Sequence, residues 1–261
     1  MIQALRIVQL SDPHLVGDPQ GRVRHHTALL HWDRALAQAV QQRPDLVLIS
    51  GDCCQDESWN GYALLRDSLS RLPPHISIAV LPGNHDHPTR LRAALGRKAT
   101  LAPAVISLGR WDLVLLSSHW SGQTAGQIGT NQLIWLQTIL NASSRTSQSL
   151  LVGLHHPPIP VGDPSWDRMG LRDWEPLVAL LQAAPTLKAV VFGHLHQPWQ
   201  GTLPMRPDVP LLGCPSTLCA FPALQACYEK RDAQPGGRLL ELSPNGTLTS
   251  TLLHWHDQPD P

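Results

Sequence analysis

The chain has 261 residues, enough for one large α/β domain or two small ones. Lys+Arg and Asp+Glu balance at 20 each, so no net field draws the protein to nucleic acid or to an anionic membrane. No apolar run approaches the roughly 20 residues that span a bilayer, and Met1-Ile2-Gln3-Ala4-Leu5-Arg6 has neither the basic start nor the apolar core of a signal peptide. Cys53, Cys54, Cys214, Cys219 and Cys227 are odd in number and lack the C-x-x-C spacing of a structural zinc site. Buried free thiols, a reducing compartment and a cytoplasmic location are the expectation.

A first strand over Leu5–Leu10 ends at Asp12-Pro13-His14, and a Gly-containing polar loop follows. Leu29, Leu30, Trp32, Leu36, Ala39 and Val40 then recur near helical spacing until Arg43-Pro44 stops the helix. Asp45–Ser50 reads as a buried parallel strand running into Gly51-Asp52. A helix over Gly61–Leu72 ends at Pro73-Pro74. A third strand, Ile76–Leu81, delivers Gly83-Asn84-His85-Asp86, and a short helix is expected over Thr89–Leu95. Alternating strands and helices of this kind build a layered α/β sheet.

The middle changes style. Val105–Leu108 and Trp111–Ser117 flank Gly109-Arg110 as a hairpin. A Gly-rich loop over Ser121–Gly129 precedes a helix that Thr130 or Asn131 could cap, and Ser143–Ser149 reads as a polar linker. Leu150–Leu154 is a strand ending at His155-His156-Pro157-Pro158. Pro160–Asp173, with Trp166 and Arg168, is long enough for a substrate-facing lid. Helix Trp174–Ala184 leads to strand Lys188–Phe192 and its Gly193-His194-Leu195-His196 end. Short strands near Leu211-Leu212, over Gly237–Leu242 and over Leu248–Leu253, the last two joined by Asn245-Gly246, complete the chain.

Five apolar runs thus end in His, Asp or Asn, and parallel strands present such ends on one edge. Asp12, His14, Asp52, Asn84, His155, His194 and His196 are more ligands than one cation needs. If one carboxylate bridges, each of two metals receives four protein donors. A nitrogen and oxygen set without sulfur suits Fe, Mn, Zn or Co. Paired ions about 3.5–4 Å apart lower the pKa of a bridging water and clamp the attacking and leaving oxygens of a phosphoryl group. The implied chemistry is hydrolysis of a phosphate ester. His85, beside Asn84, is better placed to donate to a phosphoryl oxygen or to protonate the leaving alkoxide. Asn84, His85 and His196 are the candidate substrate contacts. His119 is expected to be structural, with a substrate contact as its alternative, His156 to support His155 from behind, and His25, His26, His31, His75, His254 and His256 to lie on the surface. The Trp residues are expected in the core, with Trp166 and Trp199 near the ligand loops as the exceptions.

The blocks D-x-H, G-D, G-N-H-D, H-H-P-P and G-H-x-H, in this order from Leu5 to His196, resemble those of the calcineurin-like metallophosphoesterases. Gln132-Leu133-Ile134-Trp135-Leu136, Gly213-Cys214-Pro215-Ser216-Thr217 and the closing strands are similar to those of the bacterial class III 3′,5′-cyclic-nucleotide phosphodiesterases. That subfamily continues C-x-Q-F where this chain reads Leu218-Cys219-Ala220-Phe221, without the Gln. The resemblance implies a four-layer α/β/β/α sandwich with mixed sheets, the metallo-dependent phosphatase fold. It implies one domain over 1–261, in which 201–261 completes a sheet or caps the site. It also implies that Asp12, His14, Asp52 and His196 hold one metal, that Asp52 bridges, and that Asn84, His155 and His194 complete the second site, with His85 catalytic. The activity expected is phosphodiester hydrolysis by a metal-bridging hydroxide, with 3′,5′-cyclic AMP as the candidate substrate and a monomer or homodimer as the active form. The alternatives are a broad-range phosphomonoesterase on the same site and a non-catalytic scaffold.

Overall fold

The computed structural model describes residues 4–146, 148–222, 224 and 234–254. It opens with β1 (Leu5–Leu10), the short hairpin β2 (Arg22–Val23) and β3 (His26–Thr27), α1 (Ala28–Gln41) and β4 (Leu46–Ile49). Next come α2 (Trp59–Leu69), β5 (Ser77–Val80), α3 (Pro88–Leu95) and β6 (Thr100–Leu101). The second half contains β7 (Ala104–Leu108), β8 (Trp111–Leu115), α4 (Thr130–Thr146), β9 (Ser149–Gly153), α5 (Pro164–Arg168), α6 (Trp174–Gln182) and β10 (Leu187–Phe192). It closes with β11 (Gln200–Leu203), β12 (Arg206–Gly213), β13 (Gly236–Leu242) and β14 (Leu248–His254).

Two six-stranded mixed sheets result, in the orders β14-β13-β1-β4-β5-β6 and β11-β12-β10-β9-β8-β7. β1, β4 and β5 are parallel neighbours, as are β8, β9 and β10. Successive side chains of a strand face opposite ways, which sorts the residues into layers. Ile7, Leu46, Leu48 and Ala79 of the first sheet meet Leu113, Leu115, Leu151, Ala189 and Val191 of the second. Their neighbours Val8, Val47, Ile49 and Val80 face the other way, onto Trp32, Leu36 and Ala39 of α1 and Tyr62 and Leu65 of α2. Val152, Val190 and Phe192 turn outward onto Leu136 and Leu140 of α4 and Leu177 and Leu181 of α6. Each such side chain contributes about 2 kcal/mol on burial, so both sheets are clamped between helices in the expected α/β/β/α order.

Several boundaries differ from the sequence reading. α2 starts at Trp59 because Ser58 caps it, its hydroxyl accepting from Gly61 N at 3.0 Å. The expected linker over Ser143–Ser149 is largely the last turn of α4, where the Ser144 and Thr146 hydroxyls donate back to the Leu140 and Ala142 carbonyls. The expected lid carries α5, capped by Asp163. β12 is much longer than Leu211-Leu212, and its partner β11 has no alternating pattern in Gln-Gly-Thr-Leu to announce it. His31 and Trp199 are buried, Trp199 packing on Phe192 at 5.8 Å between ring centres. Trp59 and Trp120 are exposed. Cys53, Cys54, Cys214 and Cys219 are free, buried thiols, while Cys227, Trp255 and His256 lie outside the described residues. Among the described residues no helix is long and apolar enough to cross a membrane.

Candidate metal centre

The carboxyl ends of β1, β4 and β5 in one sheet and of β9 and β10 in the other converge on one point. Asp12, His14, Asp52, His194 and His196 turn there with φ of 51°, 47°, 48°, 67° and 54°. Left-handed backbone costs a non-glycine residue roughly 1 kcal/mol or more, and such strain concentrates where side chains must aim at a common target. Hydrogen bonds hold the turns: Asp12 N donates to Gly51 O at 3.1 Å and His14 N to Asp52 O at 2.9 Å. His194 N donates to Asp12 Oδ2 at 3.2 Å and joins the two sheets across the site.

Backbone carbonyls set the histidine tautomers. Cys219 O accepts from His196 Nδ1 at 3.1 Å and Ser50 O from His155 Nδ1 at 2.8 Å, so in each ring the Nε2 lone pair is free and faces inward. His196 Nε2 lies 3.0 Å from His14 Nε2 and 3.6 Å from Asp12 Oδ1. His155 Nε2 lies 3.2 Å from Asn84 Oδ1 and 3.3 Å from His194 Nδ1. Asp52 faces both groups, with Oδ2 3.7 Å from His14 Nε2 and Oδ1 3.5 Å from His155 Nε2. Sets such as Asp12–His14–His196 and Asp12–Asp52–His155 bring their donor atoms within 4.8 Å of one another.

The electrostatics agree with ligand chemistry. Burial keeps the imidazoles neutral, pushing His14 down to about 4 and lowering His155, with His194 and His196 further still. Burial opposes the charge on Asp52 as well, but the ring N–H dipoles of His155, His14 and His85 and the bond from the His85 backbone N–H outweigh it and hold this carboxyl well below the usual range. Asp12 is raised, first by burial and then by the charge of Asp52. Asp12 Oδ1 and His194 Nε2 are buried without a hydrogen-bond partner. Neutral imidazoles, crowded carboxylates and orphaned buried acceptors are what cations would satisfy, so the residues present fit a pair of metal ions.

Around this set, each neighbour has its own contacts. His156 uses both ring nitrogens, Nδ1 with Ser118 Oγ at 2.8 Å and Nε2 with Thr124 O at 3.1 Å, and so has no lone pair left for a metal. His85 comes within reach of His14 and Asp52, and its backbone N–H donates to Asp52 Oδ1 at 2.9 Å. Gly83 is required by close approach, since a Cβ there would stand 2.1 Å from Asp52 Oδ1. His119 donates from Nδ1 to Gly83 O at 2.9 Å, a structural bond to the same loop. Sequence reasoning missed Gln55, whose Nε2 meets His85 Nδ1 at 3.2 Å, and Phe221, which stacks on His196 at 4.3 Å. The only sequence signal was their spacing: Gln55 stands three residues past Asp52, and Phe221 ends the divergent block after Thr217.

A calcineurin-like phosphoesterase model matches residues 5–198. The chain belongs to the calcineurin-like phosphoesterase family. A "probable cyclic nucleotide phosphodiesterase" of Synechococcus sp. (strain WH7803) is 47% identical over 255 residues, covering 96% of each chain. The 3′,5′-cyclic adenosine monophosphate phosphodiesterase CpdA of Escherichia coli (strain K12) is 32% identical, covering 98% of this chain and 93% of its own. The fold is shared with a dimetal phosphatase from Danio rerio, with TM-score 0.62 at 13% identity over 97% of this chain and 99% of the other.

Proposed function

We propose that this phosphoesterase hydrolyses the phosphodiester of a 3′,5′-cyclic nucleotide, with cyclic AMP as the first candidate. The observation that carries a two-metal hydrolase is the convergence of five strand ends, three of them turned through strained residues, on a cluster of imidazoles around Asp52. Relatives named as cyclic nucleotide phosphodiesterases, similar along nearly the whole chain, support the diester and its nucleotide. Asp12, His14, Asp52 and His196 would hold one ion and Asp52, Asn84, His155 and His194 the other. Two bound cations, of Fe, Mn, Zn or Co, supply a nucleophilic oxygen at neutral pH and neutralise phosphoryl charge.

The chain's own residues do the rest. Asp52, turned to both sides, fixes the spacing of the two ligand groups. Cys219 O and Ser50 O keep His196 and His155 in the ligating tautomer. His85 meets Gln55 at Nδ1, which anchors the ring and leaves Nε2 as the nitrogen that would hydrogen-bond a phosphoryl oxygen or hand a proton to the leaving alkoxide. The four buried thiols favour a reducing compartment, in keeping with a cytoplasmic enzyme.

The test is hydrolysis of 3′,5′-cyclic AMP, beside an aryl phosphodiester and its monoester, by metal-stripped protein re-supplied with Mn²⁺ or Fe²⁺. Metal-dependent turnover of the cyclic nucleotide near the rate of the aryl diester is expected. An enzyme that cleaves the aryl diester and leaves the cyclic nucleotide intact would overturn the substrate assignment. One that acts on the monoester alone would overturn the diesterase reading.

A further inference from the structure

Beside His194 and His196 stands a wall of side chains that the hydrolytic chemistry does not use. Trp166, on α5, meets the His194 ring edge-on at 5.5 Å. Phe221 stacks on the His196 ring at 4.3 Å, with 21° between the planes, and lies 5.5 Å from Trp166. The guanidinium carbon of Arg24 sits 4.5 Å from the centre of the Phe221 ring. Three segments far apart in sequence thus build one aromatic and cationic surface along the two ligand histidines. Trp166 and Phe221 are half-buried and Arg24 is exposed, so the wall has a solvent-facing side.

The turn that supplies Arg24 is strained. Arg24 and His25, the central residues between β2 and β3, have φ of 50° and 73°. Positive φ at both centres of a two-residue hairpin calls for Asn-Gly, and this chain spends an arginine and a histidine there. The turn fixes the Arg24 backbone, and Phe221 fixes its guanidinium. Stacking occupies one face of that group and leaves its in-plane N–H donors directed outward. Among the described residues no acid pairs with it.

We propose that Trp166, Phe221 and Arg24 form the platform for the nucleobase of a nucleotide ligand. A metal centre grips a phosphoryl group without regard to the alcohol attached to it, so selection of a nucleotide needs a separate surface. A planar heterocycle can stack on the outer face of the Arg24 guanidinium and on the Trp166 ring, surfaces that tolerate any base, while Phe221, held between His196 and Arg24, backs the guanidinium. This assignment rests on the nucleotide part of the reading above, and it gives α5, which carries Trp166, a place in the site.

The experiment compares binding of 5′-AMP, ribose 5-phosphate and inorganic phosphate to the metal-loaded full chain by calorimetry. These ligands share the phosphate, and only the first carries a base. Base stacking predicts that 5′-AMP binds about tenfold more tightly than ribose 5-phosphate. Arg24→Ala and Trp166→Leu should each cut that ratio to about threefold or less. Arg24→Lys should cut it too, because an ammonium has no planar face to stack. Equal binding of the two ligands by the native protein, or an unchanged ratio in both Arg24→Ala and Trp166→Leu, would overturn the platform. The readout needs no turnover: native protein that prefers 5′-AMP but does not hydrolyse cyclic nucleotides would keep the platform and reject the cyclic-nucleotide phosphodiesterase reading.

Discussion

Gln55 Nε2 meets His85 Nδ1 across 3.2 Å, and this one bond anchors the His85 ring with Nε2 left for the substrate. Gln55 also lies against His14, so it spans the space between a proposed ligand and the proposed acid. Gln55→Ala should leave the His85 ring without its anchor. Esters with poor leaving groups need the proton and should slow by about tenfold to a hundredfold, within the range that general acids contribute. Nitrophenyl esters, whose leaving group needs no proton, should change little, and bound metal should stay at the native level. Equal losses on both ester types would show that Gln55 acts on something other than the leaving-group proton.

Ligand and acid roles separate by metal content. Asn84→Ala and His196→Ala each remove a donor from the converging set and should lower both bound metal and turnover, metal affinity by at least about tenfold. His85→Ala should keep its metal and lose about a hundredfold or more in kcat. Metal analysis after gel filtration, run beside kinetics, checks both. Full metal content in His196→Ala, or its loss in His85→Ala, would reverse the assignment.

The site was more legible in the sequence than its surroundings, and the physics explains why. Asp12, His14, Asp52, Asn84, His155, His194 and His196 each follow an apolar run, and parallel strands bring such ends together whatever lies between them. The supporting contacts had no such signal. Cys219 and Ser50 orient His196 and His155 through backbone carbonyls, which any residue type could supply. Trp166 and Phe221 reach the site from segments whose path is set by tertiary packing. β11 lacks alternation because it is an edge strand, with Gln200 exposed and Leu203 buried. The strained φ of the ligand turns runs against local preference, as expected where function overrides it.

The thiols should be silent in the folded protein. Burial pushes Cys54 up to about 12, helped by its bond to Asp56 at 3.1 Å, and burial raises Cys53 and Cys214 as well. The reactive thiolate forms only as pH rises toward such values, so at pH 8 these groups remain protonated as well as enclosed. Cys219 is raised to about 11 for the same first reason. Titration with a thiol reagent at pH 8 should count at most one of the five cysteines before unfolding and all five in denaturant. Rapid reaction of two or more in the native protein would contradict the burial of this set.

Asp86 ties together the two loops that carry Asp52 and Asn84. Its carboxylate is fully buried and accepts from Gly83 N at 2.8 Å, from Cys53 N and Cys54 N at 3.1 Å each, and from the Tyr62 hydroxyl at 3.2 Å. Asp86→Ala would leave three amides and a hydroxyl buried without an acceptor, a loss of about 3–5 kcal/mol by analogy with breaking a buried charged pair from one side. Asp86→Asn keeps the shape and one acceptor oxygen but turns an NH₂ toward donors, so an intermediate loss is expected. Tyr62→Phe removes a single donor and should cost about 1 kcal/mol, with a share of that from His87 N, which donates to the same hydroxyl at 2.6 Å. Urea unfolding of the metal-free variants should rank them in that order. Metal binding by Asp86→Ala should weaken as well, because Gly83, packed against Asp52, loses its anchor. A metal-free Asp86→Ala protein within about 1 kcal/mol of the native stability would mean that other contacts hold the two loops in register.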